Sequence, residues 1–146
     1  MSTTLIVKLR TQAAAYAPLT ALLGSGAGPS TPFKWYDVTL DQNRQGPKWP
    51  AVVVQQVSEI TRYMNFQRDV ITLNRVQFTC WDLSLETTRN LALTLKQFFD
   101  VFNGYNTSGS RPPNRVVLSR QAGEAQTDPI TYAQVVDVEI YHNESL

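Results

Sequence analysis

Residues 75–104 combine two hydrophobic periods in one continuous stretch. Val76, Phe78 and Cys80 alternate with polar residues, which predicts a strand with one buried face. Beyond Asp82 the apolar residues recur at the spacing of one helix face: Leu85, Leu91, Ala92, Leu95, Phe98, Phe99 and Phe102. The stretch therefore predicts a strand that leads into an amphipathic helix, with one core shared between them.

The two ends of this helix carry recognisable signals. Ser84 is a typical N-cap, and Glu86 places a negative charge in the first turn, where the helix dipole favours it. Gly104 is a typical residue just past a helix end, and Asn103 beside it is a second candidate. We expect the helix to lie between Ser84 and Gly104.

Another helical pattern begins at Thr3 or Thr4. Its apolar positions share one side: Leu5, Leu9, Ala13 and Tyr16. Pro18 predicts a kink or a break into a second short turn, because proline cannot donate the backbone hydrogen bond of a helix interior. Leu19, Leu22 and Leu23 then add apolar surface before a polar loop over 24–32.

Alternating and β-branched runs predict the strands of one sheet: 33–38, 51–60, 70–82, 115–120 and 130–141. Residues 61–69 contain neither Gly nor Pro, so this connection is either a wide hairpin loop or part of two long strands that project beyond the sheet. We favour a projecting hairpin. The segments 41–50, 105–113 and 121–128 are polar or rich in Gly and Pro and predict loops. Together these elements predict an α+β fold in a single domain, 1–146: an antiparallel sheet of four to five strands with two main helices packed on one face.

The run 51–60 mixes apolar and polar residues on both faces. Simple alternation groups Val53, Gln55, Val57 and Glu59 on one side, and Val52, Val54, Gln56 and Ser58 on the other. Neither side is wholly polar, and two main helices can cover only one of them. We therefore expect another subunit to cover the second face.

Bulk composition adds few constraints. A chain of 146 residues with a net charge of +1 can form one core, and its charge does not require nucleic acid, membrane or an acidic substrate as a partner. Lys8 and Arg10 follow the short N-terminal apolar run, which is the wrong order for a secretory signal, and no segment has the ~20 apolar residues that span a bilayer. We expect a cytosol-like compartment and read the lone Cys80 as a small buried hydrophobe.

Candidate catalytic groups are few. His142 lies near the C-terminus, where we expect a frayed chain, and it has no second His and only Cys80 for a zinc site. Asp137 and Glu139 share a face of the last predicted strand; they could form a paired acid–base or cation site, but a solvated or subunit-contacting face explains them better. The glycines of 24–28 follow a helix and lack the Lys-Ser/Thr pair of a phosphate loop. We predict no catalytic residue, no metal and no cofactor.

Arginines with aromatic neighbours are scattered over the predicted loops. Such surfaces either stack single-stranded nucleic acid or anchor protein interfaces. The low net charge favours the interface interpretation.

Two segments carry a family resemblance. WPAVVVQQVSE at 49–59 and VQFTCWDLSLETTRNLALTLKQFFDVFNG at 76–104 resemble the tail-completion or tail-terminator proteins of long-tailed bacteriophages. Those proteins show a similar Pro, hydrophobic-run, Gln, Val-Ser strand and a similar strand with Cys-Trp before an Ala/Leu-rich helix. The helix end LTALLG at 19–24 is also similar.

The resemblance implies a structural virion protein without enzymatic activity. It implies a homohexameric ring that caps the tail tube, ends tail polymerisation and docks the head or neck, with the tube protein and connector proteins as partners. DNA would pass through the lumen without sequence readout, no membrane would be involved, and assembly would take place in the bacterial cytoplasm. We expect the contacts in the 41–50 loop and the 61–69 hairpin, since Arg, Tyr and Trp dominate interface energetics; the predicted anchors are Trp49, Arg62, Tyr63, Phe66 and Arg68.

Two rival functions remain open at this stage. A head-side connector, or stopper, or a tail-tube subunit would also be a ring-forming virion protein. The tube subunit is disfavoured because tube rings usually rest on a β-sandwich-like sheet pair, whereas two amphipathic helices are prominent here. A small enzyme or ligand-binding α+β module is the more distant alternative, and it would need a convergent set of titratable groups.

Overall fold

The computed structural model describes residues 3–26, 32–37, 49–64, 69–102, 114–127 and 130–145. Within these ranges the chain forms three α-helices and five β-strands. In chain order they are α1 (Thr3–Ala15), α2 (Ala17–Leu23), β1 (Trp35–Asp37), β2 (Ala51–Met64), β3 (Asp69–Asp82), α3 (Leu85–Phe98), β4 (Arg115–Thr127) and β5 (Ile130–Ser145).

The five strands form one sheet in the order β1-β2-β3-β5-β4. The pairs β2–β3, β3–β5 and β4–β5 are antiparallel, as expected, whereas β1 is parallel to β2, with Trp35 paired to Val52. Residues 38–50 provide the connection of about a dozen residues that a parallel pair requires. The predicted α+β class and strand number are confirmed, and the parallel edge pair is the exception to the antiparallel prediction.

One face of the sheet joins all three helices in the hydrophobic core. The strands contribute Val52, Val54, Val76, Phe78, Cys80, Val136, Val138 and Ile140. The helices contribute Leu5, Leu9, Ala13, Leu19, Leu23, Leu91, Ala92, Leu95 and Phe98. Val136, Val138 and Ile140 of β5 thus share one face of the sheet, which we call the helix face, and the predicted apolar face of α3 is confirmed.

Aromatic rings connect the sheet to α3 inside this core. The ring centroids of Trp35 and Phe78 lie 5.7 Å apart, and those of Phe78 and Phe99 lie 5.0 Å apart. Phe98 in turn lies 5.1 Å from Phe99. Tilted pairs at such distances contribute about 0.5–1.5 kcal/mol each beyond their buried area. They fix α3 over β1 and β3.

The predicted break at Pro18 is confirmed. α1 ends at Ala15, Tyr16 is the extended N-cap of α2, and Pro18 lies in the first turn of α2. Gly24 ends α2 with φ of 104°, in a region that favours glycine because a side chain would clash there. The N-terminal segment is therefore two short helices, and both contribute residues to the core.

The start of α3 matches the prediction, and its end does not. The Ser84 hydroxyl accepts a hydrogen bond from the Thr87 amide at 3.4 Å, so Ser84 is the N-cap. The regular helix ends at Phe98 and is followed by a turn. The side-chain amide of Asn114 donates to the carbonyl oxygens of Phe99 at 3.0 Å and Phe102 at 2.9 Å, so a distant residue satisfies this end. Asn103 and Gly104 lie outside the described residues.

The predicted loop at 121–128 and the predicted hairpin at 61–69 both contain residues that belong to strands. Residues 121–127 belong to β4, where register shifts around Glu124 accommodate the polar and glycine-containing sequence as bulges. β2 and β3 pair out to Met64 and Val70, as the long-strand prediction requires. They do not project as an isolated hairpin, because β5 stays paired with β3 as far as Asp69 and Ser145. Residues 65–68 lie outside the described residues.

A bulge at Val57 also changes the predicted faces of β2. Gln56 pairs with Val76, but Ser58 pairs with Arg75, so the strict alternation is interrupted. Gln55 pairs with Gln77, and Gln77 and Arg75 lie on the same face of β3. Ser58 therefore lies on the same face of β2 as Gln55, and its predicted grouping with Val52 and Val54 was wrong. One extra residue in the strand reverses the positions that follow it, here as far as the second register shift at Arg62.

Candidate assembly interface

The sheet face opposite the helices is the first candidate surface, and we call it the second face. Register places four cross-strand pairs of β3 and β5 on it: Arg75 with Glu139, Gln77 with Asp137, Thr79 with Val135, and Trp81 with Ala133. Ala133, Val135 and Asp137 are only 3%, 5% and 6% exposed. This part of the second face is therefore already covered by the chain itself. The expectation that another subunit covers the second face of β2 remains a prediction.

An ion pair lies at the centre of the second face. An Nη atom of Arg75 donates to a carboxylate oxygen of Asp137 at 3.0 Å. Glu139 pairs in register with Arg75 on one side and with Arg115 of β4 on the other, so charges alternate across three strands. The predicted common face of Asp137 and Glu139 is confirmed, but Asp137 is buried and ion-paired where we expected a solvated or subunit-contacting group.

Two tryptophans stack at one end of the second face. The rings of Trp49 and Trp81 lie 6.3 Å apart with an angle of 26° between their planes. The Trp49 carbonyl accepts a hydrogen bond from the Lys34 ammonium at 3.2 Å. Trp49 is half-buried, so part of its ring serves the packing of its own chain. Its predicted role as an interface anchor remains a prediction.

Two of the other predicted anchors, Arg62 and Tyr63, lie towards the end of β2. Arg62 lies at a register shift of β2, and Tyr63 pairs with Ile71, but the placement of the Arg62 and Tyr63 side chains is outside what the structure describes. Phe66 and Arg68 lie outside the described residues, as do positions 41–48 of the predicted contact loop. The structure brings none of these side chains into a described contact.

The edge strand β4 is a candidate surface that the sequence interpretation missed. Val116, Val117 and Leu118 are 36%, 37% and 39% exposed, and the neighbouring Arg115 and Arg120 are exposed as well. Within the described residues β4 pairs only with β5, which leaves its outer edge open. The run RVVLSR predicts a strand, but nothing local distinguishes an edge strand from an inner one.

The opposite edge of the sheet is formed by β1. Asp37 is exposed there, and a guanidinium nitrogen of Arg10 donates to the Trp35 carbonyl at 2.6 Å. The Arg10 guanidinium also lies 5.9 Å from the centre of the Phe33 ring. Neighbouring protein atoms partly desolvate the Asp37 carboxyl and raise its pKa, while Arg10 acts in the opposite direction. The described part of this edge therefore carries charges of both signs.

His142 and Cys80, which were considered above as possible reactive or metal-binding residues, are both buried in the fold. His142 is buried in β5, whose pairing extends to Ser145, so the expected frayed end was wrong. Cys80 is buried in the core, and burial raises the pKa of its thiol to about 12 even though Lys96 acts in the opposite direction. Among the described residues there is no group of three or more His, Cys, Asp or Glu that could hold a metal ion. None of the described helices is long and apolar enough to cross a bilayer.

Comparison with known proteins identifies the fold. No protein-family model and no curated protein matches the sequence. Among solved structures, a chain described as "Virion of native gene transfer agent (GTA) particle" is similar, with 13% sequence identity and a TM-score of 0.55. The match covers 91% of this chain and 90% of that chain. At this identity the likeness is one of fold, and it extends over nearly the whole of both chains.

Proposed function

We propose that this chain is a structural subunit of a tailed, phage-like particle, and that it forms a ring that caps the tail tube. The observation that carries the proposal is the fold likeness over nine-tenths of both chains to a component of a gene transfer agent virion. Full-length coverage supports a common architecture better than a shared local motif would. The ring would end tail polymerisation and present a docking surface to the head or neck.

The segments that resemble tail-terminator proteins support this proposal through their place in the fold. Residues 49–59 lead into β2 and form its first part, and residues 76–104 contain the second half of β3 and all of α3. These elements supply much of the core, including Val52, Phe78 and Phe98. The similar segments thus form the core of the fold. This agrees with a protein whose function depends on the shape of its surfaces.

The titratable groups that suggested chemistry fit a structural role. Asp137 is held by Arg75, and the Cys80 thiol is buried with a pKa far above neutrality. A nucleophile or general base needs access to substrate and a pKa near the working pH. We therefore propose a mechanism without catalysis, in which one ring surface complements the tube and another the connector.

The mass of the native assembly is the first test. Six times the chain mass is expected for the proposed hexamer. A stable monomer that also fails to bind tail tubes would overturn the proposal. A hexamer alone would leave a head-side stopper ring as an equal alternative.

Tail length separates these two roles. Deletion of the gene from the particle that encodes it should give tails of uncontrolled length, since nothing would stop tube growth. Restoring the gene in trans is the matched control and should return tails to uniform length. Tails of normal length that fail to join heads would instead indicate a stopper.

A further inference from the structure

We infer that neighbouring copies of this chain join head to tail through two bulged sheet edges, with the outer edge of β4 around Val117 in one copy against the outer edge of β2 around Val57 in the next. This inference rests on the proposed ring and identifies the surfaces that would close it. The occupant of the β4 edge is thus a second copy of the same chain.

The outer edge of β2 is open beyond the short strand β1. β1 pairs with β2 only from Val52 to Val54, so within the described residues β2 has no strand on its outer side from Gln55 onwards. Gln55 and Ser58 are exposed, and Val57, the extra residue of the bulge, is 53% exposed. The continuation of β2 past β1 is therefore an open edge on the side of the sheet opposite β4.

The β4 edge has a matching composition. Val116, Val117 and Leu118 are each more than a third exposed, and Val117 is unpaired at a bulge, as Val57 is in β2. Proteins commonly protect open edges with charged side chains, with proline or with bulges that twist the strand away. A bulge whose extra residue is an exposed valine instead leaves apolar surface at the edge. Contact between the two edges would bury these valines and offer partners to the unpaired backbone groups beside them.

Charge favours β2 over a second β4 as the partner. Arg115 and Arg120 are exposed at the two ends of the apolar run. Two β4 strands paired about a two-fold axis would bring these arginines close to one another, and like charges across a strand pair are destabilising. The open part of β2 begins instead beside Asp37, which is exposed at the end of β1, while the nearby Arg10 guanidinium donates to the Trp35 carbonyl. An arginine of β4 beside this acid would form a favourable pair of charges.

Symmetry leads to the same pairing. A contact between two copies of one surface stops at a dimer, whereas a contact between two different surfaces continues and can close into a ring. The open edges of β4 and β2 lie on opposite sides of the sheet, so each copy carries one of each. The second face is less suited to this contact where β5 crosses it, since Ala133, Val135 and Asp137 are already at most 6% exposed.

Cysteine cross-linking of the full chain tests the pairing. Val117→Cys marks the β4 edge, Val57→Cys marks the β2 edge, and a third protein carries both changes; Leu118→Cys is a second marker of the β4 edge. A short bismaleimide joins cysteines that lie close together. Native Cys80 stays in every variant because its buried thiol, with a pKa raised to about 12, does not react in the folded protein. Circular dichroism confirms that each variant is folded before reaction.

We expect a ladder of covalent oligomers from the double variant, and monomers on a denaturing gel from either single variant and from the unmodified chain. The two single variants expressed together are the matched control. They should give covalent dimers and nothing larger, because each such contact joins one marked β4 edge to one marked β2 edge.

Two results would count against these edges alone. Covalent dimers from Val117→Cys by itself would show a two-fold β4 contact and overturn the inference. A double variant that forms rings of native mass without cross-links would also overturn it, while leaving the proposed function intact. A parent chain that remains monomeric at every concentration and does not bind tail tubes would overturn the inference and the proposed function together.

Discussion

The guanidinium of Arg75 and the carboxylate of Asp137 form an ion pair at 3.0 Å on the sheet face opposite the helices. The pair runs diagonally between β3 and β5, since in register Arg75 lies beside Glu139 and Asp137 beside Gln77. Asp137 is 6% exposed, whereas the Arg75 side chain is 40% exposed. A buried acid is thus compensated by a base that reaches the solvent.

Removing Arg75 should destabilise the protein more than its exposure suggests. Arg75→Met keeps the aliphatic stem but leaves the Asp137 carboxylate buried without its partner, and we expect a loss of about 1–2 kcal/mol in the free energy of unfolding at neutral pH. Urea denaturation measures this loss. Arg89→Met on α3 is the matched control, because Arg89 is exposed and its bond to Gln121 is long, at 3.4 Å; the expected change is within about 0.5 kcal/mol.

A double-mutant cycle separates the pair from its surroundings. In Arg75→Met/Asp137→Asn the uncompensated charge is gone, so the double variant should lose less than the sum of the two single variants. Strictly additive losses would show that the ion pair contributes nothing beyond the separate packing of each side chain.

The end of α3 should depend on a residue outside the helix. Asn114→Ala removes the side-chain amide that donates to the carbonyl oxygens of Phe99 and Phe102, and we expect a loss of about 1–2 kcal/mol in unfolding free energy. The control is Asn90→Ala, because Asn90 is exposed on α3 and we expect little change in unfolding free energy there. Chemical denaturation of the two variants and the parent chain measures both losses. Equal losses in the two variants would contradict the capping role of Asn114.

The Cys80 thiol should make stability fall at alkaline pH. Its pKa is about 12 in the folded protein against an ordinary value of 9.0, so below pH 9 both states keep the proton and this group adds no pH dependence. Between pH 9 and 12 the unfolded chain releases a proton that the folded chain retains, and the unfolding free energy falls by up to about 1.4 kcal/mol per pH unit.

Comparison with Cys80→Ala isolates this effect from the lysines and tyrosines that titrate in the same range. The difference in unfolding free energy between the two proteins should be constant below pH 9 and should then shift steadily against the native protein up to pH 12. Parallel curves throughout that range would show that the folded thiol ionises normally.

Charges placed on the β4 edge should prevent self-assembly without unfolding the subunit. Val116→Asp/Leu118→Asp replaces two exposed apolar side chains, and their desolvation would oppose any strand pairing there. Native mass spectrometry should show monomers with an unchanged circular dichroism spectrum. Leu93→Asp on α3, 54% exposed, is the control and should assemble like the parent chain. Assembly that survives the β4 changes but is lost in the α3 control would move the contact to the helices.

Local signals explain which elements could be predicted. The alternation from Val76 to Cys80, the N-cap at Ser84 and the break at Pro18 each depend on neighbours within a few positions, and the structure confirms all three. Even so, one bulge at Val57 was enough to reverse the predicted faces of Ser58 and Glu59 in β2. Nothing in a single strand sequence shows where an extra residue will be accommodated.

The proposed site was harder to predict because its features depend on contacts between distant residues. Arg75 and Asp137 are 62 positions apart, and Asn114 reaches α3 from the start of another strand. The position of Val116, Val117 and Leu118 at an edge depends on β5 inserting between β4 and β3. All five predicted anchors remain untested: Trp49 stacks on Trp81 of its own chain, and the side chains of the other four lie outside what the structure describes.

By itself the sequence determined the strand-to-helix unit of 75–98, the broken N-terminal helix and the α+β class, because hydrophobic period and capping act over a few residues. Only the tertiary structure decided the strand order, the parallel β1–β2 pair, the covered second face and the open β4 edge. The physical reason is that sheet pairing is non-local: the same alternating strand can be stabilised at the centre or at the edge, and the whole set of packed elements selects between them.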